Sequence, residues 1–282
     1  MRARRRRSVA GVVGALVALA LLPSGVAWAD DAGSVTASGG PVQATLSWQA
    51  SDLGVKDPRL VVLRAGATLY DGSPVGDDRC SVGCIFAGTG AEAPLKVADL
   101  DGDGEPEVIV SAFTGGAHCC VLSEIYHFTG AAYARLENDW GSEGYRLVDL
   151  NGDGRPELSG YDVAFEDAFT SHAASFEPPL VLAYDPAQRS GFRDVTRQFP
   201  ALVRKNAKQA LHELRRARRQ HFETLGIVSA YVADLYLLGR GREVRPYLRR
   251  ARARGDLRTI AGRAPRSFEA RLLKFLHKNG YR

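Results

Sequence analysis

One acidic loop occurs twice in this chain, the second copy lying 50 residues after the first with no gap in the alignment. Val97-Ala-Asp-Leu-Asp-Gly-Asp-Gly-Glu-Pro-Glu-Val108 matches Leu147-Val-Asp-Leu-Asn-Gly-Asp-Gly-Arg-Pro-Glu-Leu158. Self-similarity at a fixed period marks a chain built from one repeated supersecondary unit. Apolar and β-branched runs at 108–113, 120–128 and 132–137, with a return run into Leu147-Val148, give that unit about four short strands. Four antiparallel strands are the content of one propeller blade, and a closed ring takes about four to eight blades. Two clear units, and a third, loop-less one before residue 75, fall short of a ring, so blade-like repeats without closure are expected.

Each loop places oxygen-bearing side chains at positions 1, 3, 5 and 9: Asp99, Asp101, Asp103 and Glu107 in the first copy, Asp149, Asn151, Asp153 and Glu157 in the second. Alternate positions of a tight loop can point to one centre, and Gly102, Gly104, Gly152 and Gly154 permit the backbone angles such wrapping needs. Position 7, Glu105 or Arg155, would give its backbone carbonyl. A flexible shell of about six to eight hard oxygens suits calcium, whereas magnesium keeps more of its waters and zinc prefers Cys or His. Two calcium sites are therefore expected, the first tighter, since it has four carboxylates where the second has three and an amide. An EF-hand does not fit, because its twelfth position, a bidentate Glu, is Val110 in one copy and Gly160 in the other. The alternative to a metal site is an acidic turn held only by its own Asx hydrogen bonds.

After Pro200 the apolar period changes from that of strands to that of helices. Val203, Ala207, Ala210, Leu211, Leu214 and Ala217 share one face, and Ile227, Val228, Tyr231, Leu235 and Leu238 another, closed by Gly239. Two shorter helices are expected about 244–253 and 268–278. The fold class is thus α+β in two parts, an antiparallel β module at 32–198 and a basic bundle of three or four helices at 199–282. Charge divides the same way: residues 197–282 hold 22 Lys+Arg against 6 Asp+Glu, and residues 30–196 hold 10 against 26. Either the two halves dock through complementary charge, or the basic surface stays free for a polyanion.

The chain opens Met1-Arg-Ala-Arg-Arg-Arg-Arg7, continues through an apolar run of 14 residues from Val9 to Leu22, and reaches Ala27-Trp28-Ala29. That is the layout of a signal peptide (1–29), and the run is shorter than the about 20 residues of a spanning helix. Cleavage after Ala29 and a secreted or extracytoplasmic location are expected, by the general route or, given Arg6-Arg7, by twin-arginine export. An exported chain with four cysteines, Cys80, Cys84, Cys119 and Cys120, is expected to form disulfides, for which three pairings exist. Bridging the neighbours Cys119 and Cys120 would hold their α-carbons about 3.8 Å apart, below the usual range of roughly 4.4 to 6.8 Å. Two bridges joining the Cys80/Cys84 loop to the Cys119/Cys120 strand are favoured over a soft-metal site with His118.

The two loops resemble the calcium loops of FG-GAP/VCBS-type repeats, known from integrin-like propellers and many secreted bacterial proteins, although the ninth position is Glu where the repeat usually has Asp. With Thr114-Gly-Gly-Ala-His-Cys-Cys120 and the helical tail, the chain resembles an uncharacterised group of exported actinobacterial proteins carrying such repeats. The resemblance implies calcium at Asp99, Asp101, Asp103, Glu105 and Glu107, and at Asp149, Asn151, Asp153, Arg155 and Glu157. No catalytic motif stands out: Ser111, Ser123 and Ser171 sit in no nucleophile elbow, and Asp162, Glu166 and Asp167 are expected to be a solvated acidic loop rather than an acid–base pair. Trp48 and Trp140 are expected in the core rather than as sugar platforms. The sequence thus points to a calcium-binding protein of the cell envelope, acting in binding or adhesion, with a secreted hydrolase of wall or extracellular polymer and a polyanion binder as alternatives.

Overall fold

A computed structural model describes residues 32–52, 54–75, 84–86, 92–116 and 119–282, with only the backbone of Cys119. The leader with its expected cleavage point, Cys80 and His118 lie outside the described residues, as does the side chain of Cys119. Of the remaining cysteines, neither Cys84 nor Cys120 is a free thiol.

The architecture is α+β. Three four-stranded antiparallel sheets follow one another, each a meander whose strands lie in chain order. The first comprises β1 (Gly33–Gly39), β2 (Val42–Ser51), β3 (Gly54–Arg64) and β4 (Ala67–Gly72). The second comprises β5 (Leu95–Ala98), β6 (Glu107–Gly116), β7 (Cys119–Phe128) and β8 (Tyr133–Asp139). The third comprises β9 (Tyr145–Val148), β10 (Glu157–Tyr161), β11 (Pro179–Tyr184) and β12 (Phe192–Asp194). In the second and third sheets an acidic loop joins the first strand to the second; in the first sheet the tight turn Gly40-Pro41 stands at that place.

The second sheet is buried on both faces, which is why β6 reads as a nearly continuous apolar run over 108–113, interrupted at Ser111. Val108, Val110 and Ala112 pack with Val42, Leu46 and Leu60 of the first sheet. Their neighbour Ile109, with Phe113, points the other way, into a cluster with Trp140, Leu158 and Leu182 around the third sheet. This period-two alternation sends side chains to opposite faces of a strand. Each of these aliphatic side chains contributes about 1.5–3 kcal/mol by leaving water. The acidic loops are thereby anchored to strands that start buried, β6 at residues 107–110 and β10 at residues 157–158.

Four helices follow, α1 (Pro200–Arg219), α2 (Leu225–Leu237), α3 (Val244–Ala253) and α4 (Phe268–Lys278), with a small hairpin of β13 (Arg258–Thr259) and β14 (Gly262–Arg263) before the last. Pro200 opens α1, where its missing N–H costs nothing. α2 is apolar nearly all round and central, packed among Val203 and Leu214 of α1, Leu248 of α3 and Leu272 and Leu276 of α4. The strands meet the helices through the β10–β11 connection, which carries two 3-10 turns, Val163–Phe165 and His172–Ala174. Phe165 stands edge-on to Phe275 at 5.1 Å and to Tyr281 at 5.6 Å, and Phe169 to Phe268 and Phe275.

Charge does not make this junction. Among the described residues no ion pair joins 32–198 to 199–282. The junction instead uses aromatic edges and hydrogen bonds such as Tyr281 Oη to Asp162 (2.6 Å) and Asn206 Nδ2 to the Glu177 carbonyl (3.2 Å). Of the two alternatives, docking through complementary charge finds no ion pair among the described residues; charged groups at the junction bond neutral ones instead, Asp162 to Tyr281, Glu223 to Thr170 and Ser171, and Arg197 to the Tyr236 and Arg282 carbonyls.

Candidate functional site

Both acidic loops wrap around their first aspartate. The Asp99 carboxylate accepts N–H bonds from Gly102 (2.7 Å) and Gly104 (2.9 Å), and the Asp149 carboxylate accepts the same two from Gly152 (2.7 Å) and Gly154 (2.9 Å). The wrap requires left-handed backbone at these glycines, with φ of 80° and 88° in the first loop and 80° and 87° in the second. The ninth residue closes each loop from below: Glu107 accepts the Leu100 N–H and Glu157 the Leu150 N–H, both at 2.9 Å. These two glutamates are 4% and 6% exposed.

The loops part company in what surrounds the remaining oxygens. In the first, one oxygen of Asp101 accepts the Asp103 N–H (3.2 Å) and one of Asp103 the Glu105 N–H (2.7 Å). Among the described residues no donor reaches the other oxygens of Asp101, Asp103 and Glu107. Asp99, Asp101 and Glu107 each bring a carboxylate oxygen within 4.8 Å of the others. Burial pushes the Glu107 carboxyl up to about 8, and the Asp101 and Asp103 charges push the same way. Asp101 is also raised, by burial first and then by Asp103 and Asp99. In the second loop the open positions are filled from within. Arg155 Nη2 donates to Asp153 Oδ2 (2.8 Å), and Asn151 Nδ2 donates to Asp153 Oδ2 and Glu157 Oε1 (both 3.2 Å). The Arg155 guanidinium holds the Asp153 carboxyl below its usual value.

Position 7 does different work in the two copies. The Glu105 side chain turns away from the loop to accept Arg64 Nε (2.8 Å) and Nη2 (2.6 Å), tying the loop to β3, while the guanidinium lies 4.6 Å from the Phe128 ring centre. The Arg155 side chain lies against the first loop, where a Cβ on Gly102 would come 2.8 Å from Arg155 Cδ. The loops also share one cleft of about 470 Å³, whose lining includes Asp101, Asp103, Asn151, Asp153, Glu157 and Tyr184. Tyr184 is 4% exposed, its Oη has no hydrogen-bond partner among the described residues, and the Glu107, Asp101 and Asp103 charges raise its pKa further beyond the effect of burial.

The first loop's donor set suits a hard divalent cation: convergent carboxylates, open oxygens, a buried acid whose ionised form needs a positive neighbour, and, among the described residues, no basic side chain bonded to them. Asp99, Asp101, Asp103 and Glu107 are the residues that would hold it. Arg64 and Tyr184 belong to this environment and carry no local signal in the sequence.

The other candidates take structural partners. Asp162 accepts Tyr281 Oη, Glu166 accepts Ser142 N–H and Oγ (both 2.9 Å), and Asp167 pairs with His172 (3.2 Å). Ser111 bonds Tyr145 Oη, Ser123 accepts Trp140 Nε1, and Ser171 donates to Glu223. Trp140 is 1% exposed and stacks on Tyr145, and Trp48, half-buried, packs beside Phe86 against the core of the first two sheets. A groove of about 630 Å³ between the third sheet and α1 includes one carboxylate in its lining, Glu143, where acid–base hydrolysis of a glycan takes two.

The chain is 31% identical over 166 residues to a protein of Synechocystis sp. described as a probable thylakoid lumen protein, an alignment covering 53% of this chain and 47% of that one. It is 34% identical over 102 residues to an uncharacterized protein of Sinorhizobium fredii, covering 35% of this chain and 16% of that one. The chain thus spans less than half the length of either relative. No protein-family model matches it, and no solved structure does.

Proposed function

We propose that this chain is an extracytoplasmic calcium-binding protein whose two acidic loops are FG-GAP/VCBS-type sites opening blade-like sheets. In this reading calcium is structural, stiffening the β5–β6 and β9–β10 connections so that the face they form can bind or adhere at the cell envelope. The observation that carries the reading is the first loop, where the carboxylates of Asp99, Asp101 and the buried Glu107 converge with oxygens left open and, among the described residues, no basic side chain bonded to them. The basic leader with its short apolar run supports an extracytoplasmic place, as does the description of the Synechocystis relative. In this reading two disulfides join the Cys80/Cys84 loop to the Cys119/Cys120 strand, as suits an oxidising compartment.

The test is thermal unfolding of residues 30–282 in calcium, magnesium or chelator. A calcium-selective rise is expected, because a ligand bound only to the folded state stabilises it by about 2.7 kcal/mol at a hundred times its Kd. Equal melting in all three conditions would refute the assignment.

A further inference from the structure

The two most exposed large apolar side chains among the described residues sit on neighbouring loops at one end of the helices: Ile260, 90% exposed, and Phe222, 48% exposed. Ile260 is at the apex of the β13–β14 hairpin, since the register pairs Thr259 with Gly262 and leaves Ile260-Ala261 as the turn. Phe222 follows His221, which adopts the left-handed region at φ 54° and ends the α1 terminus with Phe222 N–H bonded to the Ala217 carbonyl. The two loops are tied together: Thr224 N–H donates to the Arg258 carbonyl (3.1 Å), and Arg258 N–H donates to Thr224 Oγ1 (2.9 Å).

The rim of this end is basic and unneutralised. Arg258 faces Arg263 across the hairpin, a like-charge pairing that is unfavourable unless an anion meets it. Arg258 Nε is buried with no hydrogen-bond partner among the described residues. The nearby carboxylates are spent elsewhere, Asp256 on Arg218 and Arg254, and Glu223 on Thr170 and Ser171. Arg219, Arg263 and Arg266 are exposed and, among the described residues, have no carboxylate partner.

We propose that this end of the helical part is a docking surface for an anionic lipid bilayer, with Ile260 and Phe222 entering the headgroup boundary and the arginines meeting the lipid phosphates. A soluble polyanion would satisfy the arginines but gives no reward for an aliphatic side chain held out at a hairpin apex; the acyl boundary does. The inference does not rest on the calcium reading, so its test is run in chelator.

Residues 30–282 are co-sedimented with phosphatidylcholine vesicles containing or lacking phosphatidylglycerol. Binding is expected only to the anionic vesicles. Arg263→Gln and Arg266→Gln should each weaken it about fivefold, the worth of one basic residue near a charged surface. Ile260→Ser should weaken it severalfold with no change in melting temperature, since the side chain packs on nothing. Unchanged binding of Ile260→Ser would overturn the proposal in favour of a soluble polyanion. Equal binding to neutral vesicles, or a concentration-dependent dimer abolished by Ile260→Ser, would overturn it as well.

Discussion

The two acidic loops have nearly the same backbone and different charge, five carboxylates in the first against three and an arginine in the second. Each wraps its first aspartate with two glycine N–H bonds and seats a buried glutamate beneath the turn. Their ligand positions differ at two places, Asp101 against Asn151 and Glu105 against Arg155. In the first loop Glu105 is drawn off by Arg64, and among the described residues no basic side chain bonds the carboxylates of Asp99, Asp101, Asp103 or Glu107. In the second, Arg155 and the Asn151 amide supply the donors that a cation would otherwise replace. A repeated motif therefore preserves the turn, while two side chains set how much uncompensated negative charge each turn carries. Loop shape comes from glycine and Asx geometry; affinity comes from charge count.

Removing the first loop's charge should have the largest effect. Asp101→Asn/Glu107→Gln keeps the volumes and the bond from Leu100, yet should abolish most of a calcium-dependent rise in melting temperature of about 5–10 °C, read by calorimetry. Converting the second loop toward the first comes next: Asn151→Asp/Arg155→Glu should tighten its calcium binding about tenfold in a direct titration. The smallest effect concerns contact between the loops. Gly102 and Gly152 share a φ of 80°, but only at Gly102 would a Cβ meet Arg155. Gly102→Ala should therefore destabilise the protein by a few tenths of a kcal/mol more than Gly152→Ala in chelator, beyond a shared strain of about 1–3 kcal/mol. Arg155→Ala should erase that difference.

Much of this was legible in the sequence because its signals are local. The helices follow from apolar spacing with Pro200 at one start and Gly239 and Gly280 beyond two ends. The loop donors follow from alternation about fixed glycines. What escaped depends on residues far apart in the chain. Arg64 reaches Glu105 across 41 positions, Tyr184 arrives from a strand of the third sheet, and the shared cleft exists only because successive sheets stack. Phe165, Phe169 and Phe176 read as part of a loop but pack on the helical core, since a lone aromatic in a turn carries no periodicity. Strand β1 has small and polar residues that give little pattern, and β13 and β14 are two residues each, too short to show one.

Calcium titration by isothermal calorimetry, on the parent chain and on Asp101→Asn and Asp153→Asn separately, tests the central claim most directly. Two binding events of unequal affinity are predicted, the tighter lost in Asp101→Asn and the weaker in Asp153→Asn. No calcium heat in the parent, or a tighter event that survives Asp101→Asn and disappears in Asp153→Asn, would contradict the account.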